Sequence, residues 1–133
     1  MPLANRARDW LSEAEYDLET AVVLLENRRY NAACFYAQQA AEKAVKAVLL
    51  SRNIWRVGHS VLDLLKELRH HVEVPEELLD AARALDKHYI PPRYPNVFNS
   101  GAPHEYYTKE DAREAVELAG KVLAFARGAL RTH

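Results

Sequence analysis

The side chain best suited to chemistry in this sequence is Arg93, in the run Tyr89-Ile90-Pro91-Pro92-Arg93-Tyr94-Pro95. A guanidinium is a planar fork of N–H donors that can hold a phosphate bidentately while a neighbouring ring stacks on a base. Arg93 with Tyr94 and Tyr89 therefore reads as a contact for nucleotide or RNA phosphate, with Tyr107 closing the same stretch. The competing reading is that Arg93 ties its loop to an acid such as Glu42 and that the tyrosines pack beneath the loop, since such a segment must satisfy its own polar groups.

Glu42 and Lys43 carry the next candidate chemistry. Glu42 and Lys46 have the i, i+4 spacing of a helix-surface ion pair. Turned inward, Glu42 would require a cationic partner, because a buried unpaired carboxylate is very costly. His59 suits a ligand or a base, although a histidine at a helix entry also serves to bond neighbouring backbone. A single cysteine, Cys34, cannot form a disulfide within the chain, and neither it nor His70-His71 has companions at metal-ligand spacing. No metal and no cofactor is expected.

The elements that must position these residues are helices. Trp10, Ala14, Leu18, Ala21, Val22 and Leu25 recur at steps of three and four and predict a helix from Asn5 to about Asn27. A second runs from Tyr30 to about Arg52, with Ala33, Ala37, Ala40, Ala44 and Ala47 as a stripe of small residues. Ser60-Val61-Leu62-Asp63 has the spacing of a capping box, opening a third helix to about His71. Pro75 suits the first position of a fourth, expected from Glu76 to Tyr89 and ended by Pro91-Pro92. Thr108-Lys109-Glu110-Asp111 caps a fifth, burying Ala112, Ala115, Val116, Ala119, Val122, Leu123 and Phe125. The fold class expected is all-α, a single up-and-down bundle of about five helices over residues 1–133, with a long Pro-rich loop from Ile90 to Tyr107 before the last.

With 49% apolar and 28% charged residues the chain has the composition of a globular domain, and 18 basic against 19 acidic residues leave no overall field to gather nucleic acid or a membrane surface. No apolar run reaches the length of a membrane span, and the first ten residues lack the apolar core of a signal peptide, so the expected location is the cytoplasm.

The stretch Cys34-Phe35-Tyr36-Ala37-Gln38-Gln39-Ala40-Ala41-Glu42-Lys43-Ala44-Val45-Lys46-Ala47-Val48-Leu49 resembles the characteristic helix of the HEPN family, the higher eukaryote and prokaryote nucleotide-binding domain. Gly58-His59-Ser60 with Leu62 and Leu65, then Arg93-Tyr94-Pro95, then Tyr107-Thr108 follow in the family's order, so the resemblance covers nearly the whole chain. It implies a compact helical bundle, a homodimer, and a place beside a minimal nucleotidyltransferase in a toxin–antitoxin pair. Some members are ribonucleases, with an Arg followed by four to six residues and then a His; Arg holds phosphate and His assists attack by the 2′-hydroxyl. Here no histidine follows Arg93 at that spacing, and His104 lies too far along. Arg83 and His88 satisfy the spacing, but on one helix they are turned about 140° apart. Arg52 and His59 satisfy it outside the loop in question. The reading is a non-catalytic, homodimeric binding module; the alternatives are a metal-independent endoribonuclease and a purely structural helical interaction protein. The apolar stripes of helices one, two and five are read as more surface than a monomer need cover, which favours a symmetric pair.

Overall fold

The computed structural model describes residues 2–131, and these are helical with no strand among them. After a short helical turn at Pro2–Asn5, five helices follow: α1 (Ala7–Glu26), α2 (Tyr30–Ser51), α3 (Val61–Leu68), α4 (Glu76–Asp86) and α5 (Lys109–Arg131). α2 is the central element, packed along α1 on one side and α5 on another, with α3 and α4 closing the bundle. All five alanines of its stripe are fully buried, so that surface is used inside the chain and is not available to a second copy. Small residues let helix backbones approach closely, and this is what the stripe does here.

Helix ends follow the chemistry of their caps. Past α1 and α2 the chain turns through left-handed residues, Arg28 and Asn53, both with φ 64°. The amides of Arg29 and Ile54 then reach back to the carbonyls of Leu24 (2.8 Å) and Leu49 (2.9 Å). At α5 the predicted box is complete: Asp111 N–H donates to Thr108 Oγ1 at 3.1 Å, and Thr108 N–H donates to the Asp111 carboxylate at 2.9 Å. At α3 only half of the expected box forms, Asp63 N–H donating to Ser60 Oγ at 3.1 Å. The rest of the cap comes from Asp86 at the far end of α4, whose carboxylate accepts from Ser60 Oγ and Val61 N, both at 2.7 Å, and from Leu62 N at 3.1 Å.

That long-range cap accompanies a correction to the fourth helix, which ends at Asp86 and not near Tyr89. Past Asp86 the chain leaves the helix so that His88 turns toward Tyr107 and Tyr89 toward His59. The third helix likewise stops at Leu68, short of His71. On α5, Val116 and Phe125 are only half-buried and Ala126 takes a full core position. The segment before α5 holds two short 3-10 turns, Pro95–Val97 and Pro103–Glu105. Phe98 stacks on Tyr106 with centroids 4.1 Å apart, the Tyr106 hydroxyl donates to the Ser100 carbonyl, and Asn31 of α2 donates to the Pro92 carbonyl at 3.1 Å.

Candidate functional site

Positions 35, 39, 42 and 46 lie on one stripe of α2 at helical spacing, and they carry Phe35, Gln39, Glu42 and Lys46. Glu42 is buried and saturated with donors. Lys46 Nζ lies 3.0 Å from its carboxylate, His59 Nδ1 is 3.3 Å from both oxygens, and the Gln38 and Gln39 amides are 3.3 and 3.4 Å away. Gln38 also donates to the His59 carbonyl at 2.8 Å, fixing the entry to α3. The Glu42–Lys46 pair is therefore present but inward, each side chain under a tenth exposed. Trp10 and Trp55, edge to face at 5.3 Å, cover the ammonium, whose nitrogen is 5.8 and 5.9 Å from their centroids.

From Glu42 the array continues outward. The His59 ring stacks on Tyr89 at 4.5 Å and 17°. Arg93 carries its guanidinium 4.7 Å from the same Tyr89 ring, 4.2 Å from Phe35 and 5.1 Å from Tyr94. Its Nε donates to the Tyr89 carbonyl at 2.8 Å. The tie to Glu42 does not form: Arg93 is anchored by backbone and rings, and it makes no ion pair among the described residues. Among the described residues neither Nη group has an acceptor. Three aromatic faces and one carbonyl thus hold the fork in place at the surface, with four donors still to satisfy.

Of the residues predicted to act together, the structure assembles Glu42, His59, Tyr89, Arg93 and Tyr94. Lys43 faces elsewhere, paired with buried Asp17 of α1 at 2.6 Å. Tyr107 sits against His88 with centroids 5.8 Å apart. Burial raises the Tyr107 hydroxyl to about 12, with Cys34 and Asp111 adding to the effect. Arg83 is engaged by Asp80 at 2.7 Å on the surface, whereas His88 points inward with its Nδ1 buried and unpartnered. Burial holds His88 below the usual imidazole range, so it is a poor proton acceptor, and no contact joins it to Arg83. Burial likewise pushes the Cys34 thiol up to about 12, with Asp111 and Glu114 contributing, which removes its nucleophilicity near neutrality. Phe35 and Asp86 were not foreseen. Phe35 shares the helical face of Gln39, Glu42 and Lys46, a signal that was available; Asp86 has no local signal.

Among the described residues no three His, Cys, Asp or Glu side chains gather into a metal site, and no helix is long and apolar enough to cross a membrane.

The order of these parts along the chain has a counterpart among known proteins. The HEPN domain family model matches residues 7–129. The chain belongs to the HEPN family. A relative from Methanocaldococcus jannaschii named "Putative toxin MJ1304" is 33% identical over 134 residues, which span 94% of this chain and 88% of that one. The crystal structure of TT1696 from Thermus thermophilus matches with TM-score 0.92 at 49% identity, covering 94% of this chain and 98% of that one. A HEPN domain protein from Thermotoga maritima, TM0613, matches with TM-score 0.77 at 41% identity, covering 92% and 98%. In this HEPN chain the unpaired guanidinium stands in the loop that separates α4 from α5, and the histidine nearest to it through the shared Tyr89 ring comes from the entry to α3.

Proposed function

We propose that this HEPN chain is a binding module that holds a phosphate of a nucleotide or RNA with Arg93, acting as a homodimer beside a minimal nucleotidyltransferase in a toxin–antitoxin-like pair. The observation that carries the reading is the Arg93 fork, exposed and unpaired, yet fixed by Tyr89 O and by Phe35, Tyr89 and Tyr94. A donor held in its bound orientation loses little freedom when a ligand arrives. The toxin name of the archaeal relative supports the pairing, and the exposed Tyr16 and Val23 of α1 offer apolar surface for a second copy.

Titration with a fluorescent nucleotide and a short single-stranded RNA tests the binding. Arg93→Ala is expected to weaken it about tenfold or more, and Arg93→Lys to restore only part, because an ammonium cannot bind bidentately. Equal affinity of wild type and Arg93→Ala would overturn the assignment. Light scattering is expected to give twice the 15.2 kDa chain mass.

A second reading, metal-independent RNA cleavage, is favoured by one observation: Glu42 holds His59 Nδ1, so Nε2 is left for proton transfer on a side chain 54% exposed. Incubation with RNA and EDTA separates the two. Intact RNA supports the binding module, whereas cleavage lost in His59→Ala would replace it with the enzyme.

A further inference from the structure

At the other end of α2 from Phe35 lies a separate cleft of about 380 Å³, walled by Arg52 at the α2 terminus, Val72 and Glu73 of the α3–α4 link, and Ala124, Phe125 and Gly128 of α5. Two features mark it as a place for an anion. Arg52 has a buried Nη1 with no acceptor, and no described residue bonds any of its guanidinium nitrogens. An unsatisfied buried donor on a charged group is costly, and in native proteins it signals a missing water, ion or ligand. A second guanidinium stands at the same wall: a Cβ built on Gly128 would meet only Arg131 Nη2, at 3.9 Å, and Arg131 makes no ion pair among the described residues. The remaining lining is apolar except for Glu73, which pairs with neither arginine.

We propose that this cleft binds a monocarboxylate carried on a compact apolar body. The carboxylate takes the N–H donors of Arg52, with Arg131 adding positive potential, and the apolar body lies against Val72, Ala124 and Phe125. The walls argue against inorganic phosphate, which would leave apolar surface uncovered, and Glu73 disfavours a second negative charge on the ligand. Gly128 leaves open the space such a body needs, since no packed neighbour crowds its Cβ position. The site is independent of the Arg93 reading.

The test is an amide-resolved NMR titration of the full chain with phenylacetate, phenylacetamide and inorganic phosphate. Phenylacetate is expected to move the amides of Val72, Ala124 and Gly128 with millimolar or better affinity, and phenylacetamide and phosphate to bind about tenfold more weakly or not at all. Arg52→Gln is expected to weaken phenylacetate about tenfold. Gly128→Leu, which fills the cleft with a better helix former, is expected to abolish binding without lowering the melting temperature. The proposal is overturned by a folded wild type that shows no shift at 20 mM phenylacetate, by equal binding of acid and amide, by tighter binding of phosphate, or by unaltered binding in Gly128→Leu. The last outcome decides even if Arg52→Gln does not fold.

Discussion

Glu42 and Arg93 occupy the two ends of one array and are treated in opposite ways. The carboxylate is buried, with an ammonium, an imidazole and two amides turned toward it; the guanidinium is exposed, with one backbone acceptor and three rings. A charge withdrawn from water must have its partners within the fold, whereas one left at the surface does not, so the first contrast concerns stability. The second concerns purpose. Each Glu42 partner lowers the energy of the isolated chain. The rings around Arg93 fix a donor that finds no acceptor for its Nη groups among the described residues.

Substitutions can break or sharpen this contrast. Glu42→Ala should have the largest effect, a loss of about 3–5 kcal/mol in urea unfolding, because Lys46 is left buried without its carboxylate. A loss under about 1 kcal/mol would mean that the buried end of the array is not structural. Asp86→Ala should cost about 2 kcal/mol by exposing three donors at the start of α3; helicity measured across the same transition should fall first in α3. Arg93→Ala should cost at most about 1 kcal/mol while weakening the proposed phosphate binding about tenfold or more, and a melting temperature that drops as far as in Glu42→Ala would erase the distinction.

The smallest effect is on pH dependence. Burial holds folded His88 below its unfolded range, so between the two the unfolded chain carries the extra proton. Its penalty is absent above about pH 6.5 and grows as the pH falls through and below that value. His88→Phe should therefore show a shallower loss of stability than wild type between pH 7.5 and 5, and superimposable curves would remove His88 from the account.

The helices were legible because their signals are local: a 3.6-residue apolar period, the Thr108–Asp111 box, and prolines at two boundaries. The end of α4 was not, because a proline at position 91 limits only what precedes it directly. What stops the helix at Asp86 is tertiary, a carboxylate engaged on another helix and two rings turned to partners far along the sequence. The site was legible in part. Arg93, Tyr89 and Tyr94 are close in sequence, and their grouping needed only a stiff loop. Glu42 and Lys46 could be read as a surface pair or as an inward one, since spacing alone does not say which way a helix face points. The alanine stripe was misread as surplus surface for the same reason.

The Asp86 cap also bears on how the molecule opens. Ser60, Val61 and Leu62 are held by Asp86, and the residue before them, His59, is stacked on Tyr89, three positions past Asp86. Two short stretches, 59–62 and 86–89, are thus latched at both edges, and Arg93 bonds to the carbonyl of the second. Amide exchange at Val61 and Leu62 should consequently be governed by the same opening event that frees the Arg93 loop, so a ligand clamped by Arg93 would slow exchange at amides it never touches.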